Sequence, residues 1–272
     1  MNPLTLHRKF ASAVAGFEFR ADPLEAELLA TFLLEALTRN LDTTGPRFDQ
    51  AIIDTAIPGI ASVASPKSLA VLRAIATLTR GKPAIAAATA ADRLLAAGVP
   101  IPAWVAELSE RTTVSGCTSI TGPQRDITFL LAAFHRAGRS HLLVTQVDHR
   151  HGGTAVDITL ADATRVGDFL DQLKSETPTL VATRLSTNAF RAQAESVLAI
   201  RAALDRAELE QDFALGAVAQ EHYRAMARLL RTRLNTLPLP PLPVRCEAPR
   251  LRSGVRRGGR ARIDSLPSRR GI

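Results

Sequence analysis

The densest run of chemically capable side chains is Asp148-His149-Arg150-His151-Gly152-Gly153, which interrupts an apolar stretch from His141 to Val147 that resumes at Ala155 and reaches Asp157. Two imidazoles and two carboxylates so close together form a mixed nitrogen and oxygen donor set that suits Zn, Mn or Fe. On that reading a divalent metal is the cofactor, and Asp148, His149 and His151 are its candidate ligands. A second reading makes His149 a general base oriented by Asp148 or Asp157, so that these three residues are the candidate catalytic groups. A third has Gly152 and Gly153, followed by Thr154, present backbone N–H groups to an anion with help from Arg150. The plain alternative is the polar end of a strand, with two glycines because the backbone there needs positive φ. Strand alternation bears on all four. It sends Asp148 and His149 to opposite faces, so both reach one site only if the strand has already ended. The loop at 150–153 can return His151 beside either one.

Other motifs are incomplete. Gly81-Lys82 has neither the upstream glycine nor the following Ser or Thr of a phosphate loop, and the chain contains no G-x-S-x-G and no H-E-x-x-H. Cys117 and Cys246 form no C-x-x-C and no zinc spacing. Cys117 has no base beside it in sequence and reads as a small apolar strand residue. His7, His135, His141 and His222 are isolated, although His135 and His141 flank a turn and are placed to face each other across it. Trp104 and Tyr223 read as core residues on helices.

The elements that must position these residues are marked by their caps and periods. Apolar residues from Leu4 to Phe17 are loosely helical. Asp22-Pro23-Leu24-Glu25 writes a helix start, with an Asp cap, Pro in the first turn and Glu at the third position. That helix should run to about Asn40 and bury Leu24, Leu28, Leu29, Phe32 and Leu33. Further helices are expected from Pro46 to about Ala56, ended by Ile57-Pro58-Gly59; from Ser65-Pro66 to Gly81; from Pro83 to about Ala97; and, briefly, from Pro102 to Ser109. At Arg111 the pattern changes to β-branched and continuous apolar runs. Strands are expected at about 112–120, 127–134, 141–147 and 155–160, with a hairpin turn at Ala137–Ser140 and a bulge at Gly152-Gly153. Asp162 should cap a helix to about Lys174, followed by a strand at 179–185. Thr187 or Asn188 should cap a helix to about Arg206 that buries Phe190, Ala194, Val197, Leu198 and Ile200–Leu204. A last helix covers about 216–234.

This is an α+β chain rich in helix: a helical region at 1–110, a small, mainly antiparallel sheet with one helix at 111–185, and C-terminal helices at 186–237. Residues 238–272 form a Pro- and Arg-rich tail, expected to be disordered. The net charge is +8, but nine arginines against two acids put +7 of it in residues 244–272, leaving +1 for residues 1–243. A nucleic-acid or anionic-surface partner is therefore an option for the tail alone. Only 4% of residues are aromatic, too few for a base-stacking face elsewhere. The tail's Arg, Gly, Pro and Ser bias also matches a high-GC gene read out of frame, or the truncation of a longer protein. The N-terminus has no uninterrupted apolar stretch of the secretory kind, and no window reaches the ~18 uncharged apolar residues of a membrane span. With its two unpaired thiols the chain reads as cytoplasmic.

AADRLLAAGVPIPAW (90–104) and LLVTQVDHRHGGTAVDI (142–158) together resemble a family of high-GC actinobacterial proteins, uncharacterised in activity. That family has an Ala-rich helix ending in a G-V-P turn and a D-H-x-x-G-G loop after an apolar strand. The resemblance covers about residues 85–205. It implies Asp148, His149, Gly152 and Gly153 as shared positions, whereas Arg150 and His151 replace the Asn and apolar residue usual in the loop's middle. It implies no activity. The leading expectation is a non-catalytic interaction or scaffold protein with a protein partner. The alternatives are a metal-dependent or acid–base enzyme centred on Asp148-His149 and Asp157, and nucleic-acid binding through the tail.

Overall fold

Two helices open the chain, α1 (Pro3–Gly16) and α2 (Pro23–Leu41). The computed structural model describes residues 3–41, 46–150, 152–176, 179–210 and 217–239. Asp22 starts α2 as its sequence predicts: its Oδ1 accepts from the Leu24 N–H at 2.9 Å, and the Glu25 carboxylate reaches back to the Arg20 N–H. Leu29 and Leu33 are buried in the helical core, while Leu24 and Leu28 pack toward the sheet.

The chain does not stop at Ile57-Pro58-Gly59. Helix α3 (Pro46–Ala51) passes through a π-helical turn (Ile52–Ala56) into α4 (Ile57–Ala61). The Ile57 N–H donates to the Ile52 carbonyl, five residues back. Pro58 then falls in the first turn of α4, where its missing N–H costs nothing. The Asp54 carbonyl, left without that donor, lies 3.3 Å from His7 Nε2. Gly59 permits the crossing with α1, because a Cβ there would stand 2.9 Å from His7 Cα.

Helix α5 (Pro66–Leu78) is capped by the Ser65 hydroxyl, which accepts from the Ser68 N–H at 3.1 Å. It ends before Gly81, whose φ of 62° instead leads into α6 (Lys82–Ala96). A 3-10 turn at Ala103–Ser109 replaces the fifth helix. The buried side of these elements is one cluster of Leu, Ile, Val and Ala, with Trp104 packed at its margin. Each fully buried Leu or Ile there contributes about 2 kcal/mol.

Strands β1 (Thr113–Thr121), β2 (Ile127–Arg136), β3 (Arg139–Asp148) and β4 (Thr154–Ala161), then α7 (Val166–Glu176) and β5 (Val181–Leu185), build a sheet in the order β4-β3-β2-β1-β5. Every neighbouring pair is antiparallel. The β2–β3 turn is the two-residue hairpin, with Ala137 at φ 51° and Gly138 at φ 75°. Gly152 and Gly153, at φ 76° and 78°, lie in the β3–β4 turn and not in a bulge. The bulge lies further on, where the β4 register slips between Gln146 and Val147.

Side-chain alternation divides the sheet into two faces. Ile120, Leu131, Leu142 and Val144 pack under α7. Cys117, Leu130, Phe134, Leu143 and Val147 pack under α8 (Thr187–Glu210) and α9 (Ala217–Leu234), through Phe190, Ala194, Tyr223, Met226 and Leu230. The cap of α8 is Ser186, not Thr187 or Asn188: its hydroxyl accepts from the Ala189 N–H at 3.2 Å. Leu204, expected to be buried, is 39% exposed; past Leu198 the inward side of α8 carries Arg201 and Asp205, which pair with each other, with the Arg201 guanidinium over the Tyr223 ring. The described residues all fall in one compact unit, and among them no helix is long and apolar enough to cross a membrane. The tail from residue 240 lies outside the described residues.

The helical part is tied to the sheet and α9 by a buried carboxylate. Glu27 of α2 accepts from both terminal nitrogens of Arg136 (2.9 and 2.7 Å) and of Arg233 on α9 (3.0 and 2.5 Å). Burial alone would raise the Glu27 pKa, but the two guanidiniums outweigh it and hold the group at about 2. His141 Nε2 accepts from Arg233 Nε at 3.2 Å, and its ring stacks on Phe134. Burial, then the Arg233 charge, push its pKa down to about 3, so the imidazole is neutral.

Candidate functional site

Asp148 and His149 leave β3 on opposite sides, as alternation requires. Asp148 shares the parity of Leu142 and Val144, on the α7 side. Its carboxylate accepts from the Arg150 N–H at 2.8 Å and from the Arg150 guanidinium at 3.2 and 3.1 Å. His149 follows the parity of Val147, on the α8 side. Its N–H donates to the Asp126 carbonyl at 2.8 Å, and its Nε2 lies 2.9 Å from Thr128 Oγ1.

Asp157 pairs with Gln146 across β3–β4 and so shares the face of Asp148; its Oδ2 accepts from the Thr159 hydroxyl at 3.0 Å. Neither carboxylate therefore shares a face with His149. His151, the third proposed metal ligand, lies outside the described residues. Among the described residues, no group of three or more His, Cys, Asp or Glu is placed to hold a metal ion. The anion reading of the glycines meets a backbone demand, since the Gly153 N–H donates to the Asp148 carbonyl at 3.1 Å. Arg150, its proposed helper, is paired with Asp148.

His135 and His141 do not face each other. Their register partners are Ser140 and Phe134, and successive strand residues alternate faces. His135 bonds the Ser115 hydroxyl, and His141 joins the buried Glu27 network. Cys117 is buried in β1, and burial pushes its thiol up to about 11, so it is a poor nucleophile. The cavity beside His141 holds about 20 Å³, room for about one water molecule.

The geometry around His149 offers more. Two adjoining cavities, of about 470 and 590 Å³, share Thr121, Thr128 and His149. The first lies between the sheet and α8, over Ser119, Leu130 and Val147 and beside Gln193, Ser196 and Val197. The second continues past the β1–β2 turn to Arg125 and to Val181 and Thr183 of β5. Register explains why these residues meet: Thr121 sits opposite both Thr128 and Val181, and Ser119 opposite Thr183. The result is a row of hydroxyls across three strands, ending at an imidazole.

Thr128 Oγ1 also lies 3.3 Å from Thr121 Oγ1, so His149, Thr128 and Thr121 form one chain of hydrogen bonds that can run in either direction. Arg125 at the rim adopts φ 54°, the left-handed region. No carboxylate lines either cavity among the described residues.

The sequence marks His149 but none of its neighbours, because Thr121, Thr128, Thr183 and Ser196 are ordinary residues in sequence and become a site only through strand register and the docking of α8. One signal was available: Ser119 and Thr121, at alternate positions near the end of β1, and Thr128, near the start of β2, place hydroxyls on a face that is otherwise mainly apolar. No family model, no curated protein and no solved structure matches the chain.

Proposed function

We propose that this is a non-catalytic interaction protein that works by binding in the groove beside His149. One observation carries the reading. The one imidazole that faces the groove among the described residues is hydrogen-bonded to a hydroxyl, while the two carboxylates that would orient it as a base sit on the other face of the sheet. Small sites are typically concave, largely apolar and fitted with a few convergent polar groups, and this groove has that make-up. The test is a fragment screen by amide chemical shifts on the full chain. Saturable shifts centred on Thr121, Thr128, His149 and Ser196 are expected; shifts that cluster elsewhere would remove the groove from the reading.

One contact favours a second reading, an acid–base enzyme. A hydroxyl within 2.9 Å of an imidazole is the arrangement of an activated nucleophile and its base. Covalent labelling of Thr128 by a sulfonyl fluoride, lost in His149→Ala, would support it; an unlabelled Thr128 counts against it.

A further inference from the structure

Resting on the binding reading above, we propose that the groove takes a small monocarboxylate with an apolar body. The lining dictates the sign. Among the described residues its ionisable side chains are Arg125 and His149, both nitrogen groups, and every other polar side chain along it carries a hydroxyl or an amide. A cationic ligand would find no counter-charge among them. An oxyanion would find the Arg125 guanidinium and, with His149 Nε2–H donating to Thr128 and Thr128 to Thr121, the outward Thr121 hydroxyl as a donor. The lining also dictates the body. Leu130, Val147, Ala192 and Val197 make the inner end mainly apolar, beside the uncharged Ser119, Gln193 and Ser196, so the ligand's tail lies between the sheet and α8 and its head lies at the β1–β2 turn. A single guanidinium at the rim matches a single negative charge better than a dianion.

Arg125 sits at φ 54°, as Ala21 and Ala137 sit at 59° and 51°, and its N–H donates to the Gly122 carbonyl at 3.0 Å, so the conformation belongs to the β1–β2 turn. Glycine adopts that conformation without strain, so replacing Arg125 by glycine removes the guanidinium and leaves the turn intact.

The experiment titrates the full 272-residue chain with sodium octanoate, octylammonium chloride and inorganic phosphate, following amide shifts of groove residues. Octanoate should bind saturably, with shifts at Thr121, Thr128, His149 and Val197, and should bind more tightly than either of the others. Arg125→Gly should weaken octanoate roughly tenfold while leaving the thermal midpoint unchanged or higher, since the lost group is a charge-assisted donor at a strained position. Octylammonium binding in the groove as tightly as octanoate, or octanoate binding undiminished in Arg125→Gly, overturns the carboxylate assignment and leaves groove binding standing. Silence of the groove residues to all three probes overturns both.

Discussion

Glu27→Gln is expected to cost about 3–5 kcal/mol of folding stability at neutral pH. The side chain keeps its shape but loses its charge, and two guanidiniums, Arg136 and Arg233, are left buried without a counter-ion. The depression of the Glu27 pKa from 4.5 to about 2 gives a similar magnitude, about 3 kcal/mol of preference for the ionised carboxylate in the folded state. Because the folded pKa is the lower one, this contribution is complete above pH 4.5 and is lost as pH falls toward 2. Urea unfolding followed by circular dichroism at pH 7.5 measures the loss by linear extrapolation. Adding Arg233→Met should restore part of it, with a coupling of at least about 1.5 kcal/mol in the double-mutant cycle. The variant should also lose the wild type's acid slope between pH 4.5 and 2. A single-variant loss below about 1 kcal/mol, or double-mutant losses that simply add, would refute the claim that the buried Glu27 carboxylate, paired with Arg136 and Arg233, holds these elements together.

Acidification should weaken the protein through His141 as well. Its folded pKa of about 3 lies below the ordinary 6.5, so the unfolded chain takes up the proton first; stability is complete above pH 6.5 and about 2 kcal/mol is lost by pH 5. His141→Gln should flatten the stability profile between pH 8 and 5 relative to wild type, and an unchanged slope there counts against the assignment. Gly59→Ala should cost about 1–3 kcal/mol, because the new methyl meets the His7 backbone at 2.9 Å and backbone cannot rotate away; a neutral result in urea unfolding would show that α1 shifts freely. Ala137→Asn should raise stability by about 0.5–1 kcal/mol, since the first residue of the β2–β3 turn sits at φ 51°, where asparagine is far better tolerated than alanine; a lower thermal midpoint would contradict the turn geometry.

Much of the architecture is legible locally. The Asp22-Pro23 and Ser65-Pro66 starts, the β2–β3 hairpin and the Asp162 cap each rest on a hydrogen bond or a φ restriction within a few residues, so their sequences announce them. Local sequence and structure part where a distant group intervenes. Pro58 reads as a stop, but a π turn shifts it into a first helical turn and His7 approaches the carbonyl it leaves open. His141 reads as isolated because Glu27 and Arg233 lie far from it in sequence. Their burial had a trace: Glu27 falls on the ridge of Ala30 and Leu34, and Arg233 on that of Leu230 and Leu237, apolar rows on which a charge needs a partner.

The sequence by itself determined that Asp148 and His149, while on one strand, point to opposite faces, because the period-two alternation of a strand is a property of the backbone. Only the tertiary structure decided what His149 meets. The β1–β2 register brings Thr121 to Thr128, the β2–β3 register brings Thr128 beneath His149, and α8 closes the wall. Those neighbours depend on pairings between strands and on the docking of a helix about fifty residues downstream, and no local rule encodes either.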